Sequence, residues 1–308
     1  MTVAKMHADE VDIDAALVSR LVAAQFPRWA DLPIMPVLSA GTDNANYRLG
    51  DDMVVRLPRI PGAVAQIEKE QRWLPRLAPL LPLSIPVPLG RGKPAQGYPW
   101  DWSIYRWLPG ETVSGDDLIG GVVDGHRLAT DLAGFITALH GIDTGGQERA
   151  GYLASYRGEP LGLRDVATRT AIAACEGMVD IGRVTVAWDA ALAVPRWDDP
   201  PVWVHGDFQP GNLLVERGRL SAVIDFGGLT IGDPAVDLIV AWNLLSAEIR
   251  ETFRKAIGVD HATWARGRGW ALSIGLVALP YYVDTNPVLA AISRYQIGEV
   301  LADHARGD

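Results

Sequence analysis

The segment from Val202 to Gly228 limits this chain's structural options more than any other. A short apolar run, Val202-Trp-Val204, leads directly into a polar loop, His205-Gly-Asp-Phe-Gln-Pro-Gly-Asn212. Asn212-Leu-Leu-Val215, a turn at Arg217-Gly218 and Leu220-Ser-Ala-Val-Ile224 then read as a β-hairpin leading into Asp225-Phe226-Gly227. Asn212 follows Asp207 by five residues and Asp225 follows it by eighteen. A strand, a loop and a hairpin thus present an acid, an amide and a second acid at fixed spacing.

Around this segment the hydrophobic pattern changes character once. Residues 10–26 carry Val11, Ala15, Leu17, Val18, Leu21 and Val22 at helical spacing. Residues 37–60 read as strand, loop, strand, turn, strand: Val37-Leu38, Gly41-Thr-Asp-Asn44, Tyr47-Arg-Leu49, Gly50-Asp-Asp52, Met53-Val-Val-Arg-Leu57. Helical spacing returns over 63–77 with Ile67, Glu70, Trp73, Leu74 and Leu77, and Pro86 and Pro88 mark an extended connection. Trp102-Ser-Ile-Tyr-Arg-Trp107 reads as one more strand, stopped by Pro109-Gly110. Beyond it helices dominate, with Leu128, Leu132, Phe135, Ile136 and Leu139 on one face and His140-Gly141 at the helix end. The expectation is an α+β chain of two lobes, a small β-rich lobe over 1–108 and a larger helical lobe over 109–308.

Composition narrows the function classes. The 308 residues are 48% hydrophobic and 21% charged, enough to bury a core without staples. Cys175 is the only cysteine, which leaves no disulfide framework or cysteine-based metal site and suits a reducing compartment. The N-terminus lacks the apolar stretch of a signal peptide, and the apolar run from Trp270 to Val283 is too short for a bilayer and contains Pro280. A formal net charge of −9 argues against nucleic-acid binding. The protein is expected in the cytoplasm, with no nucleic-acid or membrane partner.

Phosphoryl transfer from a nucleotide needs few parts. A carboxylate orients the attacking hydroxyl and accepts its proton, oxygen ligands hold magnesium, and cations meet the donor phosphates. His205-Gly-Asp-Phe-Gln-Pro-Gly-Asn212 followed by Val223-Ile-Asp-Phe-Gly-Gly228 resembles the aminoglycoside/macrolide phosphotransferase family, a branch of the protein-kinase-like fold. The resemblance implies a protein-kinase-like two-lobe fold, Asp207 as catalytic base, and Asn212 and Asp225 as magnesium ligands. Asp233-Pro-Ala-Val-Asp237 also matches, with Asp237 as an acid that braces the loop. His205 is read as a scaffold residue and not as a base.

The nucleotide side is carried by the first lobe. Gly41-Thr-Asp-Asn-Ala-Asn46 resembles the family's phosphate-facing loop, which nominates Gly41, Thr42 and Asn44. Met53-Val-Val-Arg-Leu57 puts Arg56 where kinases usually have lysine, and the lysines at 5, 69, 93 and 255 do not fit that strand position. Its carboxylate partner is expected on the next helix. Glu70 lies on the Trp73–Leu74 face and Glu68 is the alternative, since the two point about 200° apart. Backbone groups of Arg106 and Leu108 are candidates for the nucleotide base, while Tyr105 and Trp107 are read as packing residues.

These readings imply an enzyme moving the γ-phosphate of ATP or GTP, with Mg2+, to a hydroxyl of a small molecule, an antibiotic such as an aminoglycoside or macrolide. The alternative acceptor is a hydroxylated metabolite, an amino alcohol or sugar. A nucleotide-binding module without catalysis would usually have lost Asp207, Asn212 or Asp225. A protein kinase would need a longer activation segment than Gly228-Leu-Thr-Ile-Gly-Asp233. A polycationic acceptor calls for clustered carboxylates, for which Glu176, Asp180, Asp189, Asp198, Asp199 and Asp284 are available.

Overall fold

The computed structural model describes residues 11–37 and 43–307. The chain falls into two compact units. One comprises the described residues up to Pro79 together with Ser84–Pro109; the other comprises Leu80–Leu83 and the described residues from Gly110 onward.

The first unit is built on a five-stranded antiparallel sheet. Its strands are β1 (Ile34–Pro36), β2 (Asn44–Leu49), β3 (Met53–Pro58), β4 (Pro88–Gly92) and β5 (Trp102–Arg106), in the order β1-β2-β3-β5-β4. Alternation sorts the strands' two faces. Ala45, Tyr47 and Leu49 of β2 and Met53, Val55 and Leu57 of β3 are buried in one core with Trp102 and Ile104 of β5. Helix α1 (Ala15–Gln25) covers that face with Leu17, Val18, Leu21 and Val22. It starts where the Asp14 carboxylate accepts from the Leu17 N–H at 2.7 Å, satisfying one of the unpaired donors at a helix start. Arg56, between Val55 and Leu57, alternates out of that core and is matched by helix α2 (Val64–Leu77).

Two strand expectations shift. The first strand runs over Ile34–Pro36, ahead of Val37, and Leu38 lies outside the described residues. The proline-rich connection continues into β4, whose pairing with β5 is irregular between Pro88 and Gly90. Proline is tolerated there because β4 is an edge strand and lacks a second neighbour that would need its N–H.

The second unit carries two small sheets among helices. β6 (Glu111–Thr112), β8 (Leu213–Glu216) and β9 (Arg219–Val223) form one, and β7 (Val202–Val204) pairs with β10 (Thr230–Gly232) in the other. The helices are α3 (Gly115–Ile119), α4 (Gly125–His140), α5 (Asp165–Ala174), α6 (Ile181–Ala193), α7 (Val240–Asn243), α8 (Ala247–Ile257), α9 (His261–Tyr282) and α10 (Pro287–Arg306). α9 is the central element and buries Trp264, Trp270, Leu272 and Leu276. Gly267 lets the turn Pro234–Ile239 pack against it, since a Cβ there would stand 2.8 Å from the Leu238 Cβ. No helix among the described residues is long and apolar enough to cross a membrane.

Candidate active site

In the second unit the loop from His205 to Asn212 joins β7 to β8, and its shape is fixed by a buried acid from elsewhere in the chain. Asp237, fully buried in the turn Pro234–Ile239, accepts from the His205 N–H at 3.0 Å and the Gly206 N–H at 2.7 Å. It also faces His140 Nε2, at the end of α4, at 3.0 Å. Gly206 has φ +81° and its Cβ position is filled: a methyl there would lie 2.9 Å from the Arg157 Cβ and 3.0 Å from the Gly228 carbonyl oxygen.

His205 is committed to the loop through both ring nitrogens. Nδ1 accepts from the Asp207 N–H at 3.1 Å, so Nε2 carries the proton and donates to the Ile224 carbonyl at 3.1 Å. Its ring stacks on Phe208 and meets Phe226 edge-on, each 4.6 Å away. With neither nitrogen free, His205 ties the loop to the hairpin and leaves proton acceptance to another group.

That group is Asp207. Its side chain keeps 32% of its surface open, while one oxygen receives the Asn212 amide at 3.2 Å and the other meets Arg157 Nη2 at 3.4 Å. Loss of hydration pushes its carboxyl above the ordinary range, Arg157 pulls it back, and the charge of Asp225 adds to the rise. Asn212 also donates to the Asp207 carbonyl at 2.9 Å. Both Asn212 contacts use the amide NH2, which leaves its carbonyl oxygen for another partner.

The hairpin brings Asp225 to the same place, because the Ile224 N–H donates to the Asn212 carbonyl at 2.9 Å. Asp225 sits in the left-handed region at φ +61°, a conformation costing a non-glycine residue about 1–2 kcal/mol. There the strand ends and the carboxylate accepts from the Gly227 N–H at 3.4 Å, near enough to Asp207 for its charge to act on it. The Asp225 carboxylate and the Asn212 amide oxygen are donors of the kind magnesium takes, with waters and phosphate oxygens completing its shell.

In the first unit Arg56 Nη1 pairs with Glu70 Oε1 at 2.8 Å, and Glu70 is almost fully buried. Glu68 instead pairs with Arg91 on the exposed side of α2. Tyr105, buried in β5, donates its hydroxyl to the second Glu70 oxygen. Burial and the Glu70 charge push the Tyr105 hydroxyl far up, so it stays a donor. Arg56 also donates from Nη2 to Gln66 at 3.2 Å. With its oxygen turned to the guanidinium, the Asn44 amide accepts from Arg56 Nε and Nη2 at 3.2 and 2.9 Å.

Among the remaining candidates, Asn44 and Arg106 sit differently from expectation. Asn44 is the first residue of β2, paired with Pro58, and orients Arg56 where a loop residue was expected. Gly41 and Thr42 lie outside the described residues. The Arg106 N–H donates to the Val87 carbonyl at 2.9 Å, which removes it as a base-binding donor and leaves its carbonyl. Leu108 follows Trp107, whose N–H donates to Asp52 and whose ring stacks under Arg48. Of the acids available to a polycationic acceptor, Asp180 caps α6 and Asp189 pairs with Arg169. Arg157 was not anticipated, since it stands fifty residues before Asp207 in a stretch without periodicity.

A model of the phosphotransferase enzyme family matches residues 35–270. A relative in Bacillus subtilis, the uncharacterized protein YcbJ, is 26% identical over 205 residues, 62% of this chain and 57% of its own length. Among solved structures, the GDP complex of a mutant aminoglycoside 2'-phosphotransferase-IIIa superposes with a TM-score of 0.75 at 20% identity, covering 95% of this chain and 99% of its own. The macrolide 2'-phosphotransferase MphH from Brachybacterium faecium does so with a TM-score of 0.58 at 23% identity, covering 92% and 98%. Both share the protein-kinase-like fold expected from the loop and hairpin, and with most of its length matched, this chain belongs to the phosphotransferase enzyme family.

Proposed function

We propose that the protein is an O-phosphotransferase that moves the γ-phosphate of ATP or GTP to a hydroxyl of a small molecule in the cytoplasm. In this reading residues 1–108 are the nucleotide-binding lobe and 109–308 the catalytic and substrate-binding lobe. The observation that carries it is the Asp207–Asn212–Asp225 arrangement, a loop anchored by Asp237 and a hairpin that spends backbone strain to aim its terminal acid.

Asp207 orients the acceptor hydroxyl and takes its proton, since it is partly open and His205 has no free nitrogen. Asn212 Oδ1 and the Asp225 carboxylate would hold Mg2+, which supplies charge neutralisation on the transferred phosphate. Arg56, oriented by Glu70, Gln66 and Asn44, meets the donor phosphates in the role lysine usually fills. Gly41 and Thr42 supply backbone donors to the phosphates, and the Arg106 carbonyl with Leu108 receives the base. The names of the structural relatives make aminoglycosides and macrolides the first acceptors to try, with hydroxylated metabolites as the alternative.

The test is a transfer assay of the purified protein with Mg2+ and ATP or GTP against such a panel. Asp207→Asn should lower turnover by about 10²–10⁴-fold and leave nucleotide affinity nearly unchanged. Turnover close to that of the unaltered enzyme would refute the assignment of Asp207.

A further inference from the structure

The surroundings of Asp207 hold a surplus of hydrogen-bond donors. Arg157 meets the Asp207 carboxylate only through Nη2, at 3.4 Å, and its Nη1 is buried without a protein acceptor. Arg164, at the end of the turn Leu161–Arg164, has its Nε buried in the same condition, as does the indole Nε1 of Trp270 on α9. All three side chains gather at Tyr156. The Arg157 and Arg164 guanidiniums lie 4.9 and 4.6 Å from the centre of its ring, and the Trp270 ring lies 6.4 Å away.

Asp207 faces Arg157, but Arg164 has no carboxylate partner among the described residues, and the other acids of this stretch are engaged elsewhere. Glu159 faces Arg149, Asp165 receives Trp188 and Arg169, and Asp233 is paired with the buried Arg266. Next to the base the protein thus keeps buried donors for which it supplies no acceptor of its own. Donors buried without acceptors are unfavourable, and a ligand oxygen relieves that penalty where a ligand ammonium adds repulsion. Tyr156, 45% exposed, is the group between solvent and both guanidiniums.

We propose that the acceptor is a hydroxylated molecule carrying an anionic group, a carboxylate or phosphate, which seats on Arg157 and Arg164 while its hydroxyl lies at Asp207. This rests on the phosphotransferase reading above, and it selects against polycationic sugars as acceptors.

The test is direct binding to the full-length protein by calorimetry, with three six-carbon probes that differ in charge: gluconate, sorbitol and glucosamine. Gluconate should bind roughly tenfold or more tighter than sorbitol, with glucosamine weakest, as expected for a charge-assisted contact. Arg157→Gln and Arg164→Gln should each remove most of that preference, and Arg157→Lys should keep part of it. Absence of gluconate binding, equal binding of glucosamine, or a preference surviving in both glutamine variants would overturn the proposal. So would an Arg157→Gln enzyme that hydrolyses ATP more slowly but keeps the gluconate preference, since the arginine would then serve the nucleotide. Acceptor-free Mg2+-ATP hydrolysis and its loss in Asp207→Asn report separately on the phosphotransferase reading. Loss of that reading with the gluconate preference intact would leave an anion site without transfer chemistry.

Discussion

Replacing Asp237 by asparagine changes one atom and should loosen the loop that carries Asp207. The carboxylate is fully buried and takes three contacts: one oxygen serves the His205 N–H and His140 Nε2, and the other serves the Gly206 N–H. An asparagine can turn its carbonyl to the first pair, but its NH2 then opposes the Gly206 N–H, donor against donor. One buried hydrogen bond is lost, about 1–3 kcal/mol, and the other two fall from charge-assisted to neutral strength, about 1 kcal/mol more. The expected loss is roughly 2–4 kcal/mol, a large fraction of a typical stability of about 5–15 kcal/mol. For a unit of this size that corresponds to a fall in Tm of about 4–16 °C. Differential scanning calorimetry with a parallel transfer assay reads both consequences: a lower Tm, and a reduced kcat even well below the new Tm. Unchanged stability and turnover would refute the claim that these three contacts hold the loop.

The raised pKa of Asp207 has opposite signs for activity and for stability. The base works deprotonated, so the acid limb of kcat/KM should lie above the ordinary aspartate value of about 3.9 and activity should rise with pH through it; a limb at or below that value would contradict the burial argument. The folded state binds the extra proton, so stability should fall as pH rises from about 3.9 through the raised value, and Asp207→Asn should flatten that slope in pH-dependent denaturation. Tyr105→Phe deprives the buried Glu70 carboxylate of a donor and should destabilise the first unit by roughly 1.5–3 kcal/mol, with a raised KM for nucleotide; a variant unchanged in both would show that Glu70 does not depend on Tyr105.

What could be read from the residues follows the length of the pattern each element leaves. The hairpin of β8 and β9 was legible because two apolar runs flank Arg217-Gly218, and α2 was legible enough that helical phase alone separated Glu70 from Glu68. β6 and β10 were not, because Glu111-Thr112 and Thr230-Ile-Gly232 form neither an apolar run, as Val202-Trp-Val204 does, nor a stretch long enough to show a period. β4 was hidden by prolines that only its edge position allows. Asn44 reads as a loop residue because local sequence does not state where a strand begins, only that it alternates once begun. Arg157 left no trace at all: its relation to Asp207 exists across fifty residues of intervening chain and depends on how the helices pack.

Asp237 also has a meaning in time. Its partners lie 32 residues back at His205 and 97 back at His140, so the three segments leave the ribosome in the order α4, base loop, anchor. Until Asp237 emerges, the His205 and Gly206 amides have no acid to hold them and Asp207 has no fixed direction. β7 likewise waits for β10, since Val204 pairs with Thr230. At about 5–20 residues per second the loop therefore spends seconds as unanchored chain. The transfer machinery, though encoded in the middle of the second unit, is completed only after its carboxylate anchor has been made, and chains that stop short of residue 237 cannot assemble it.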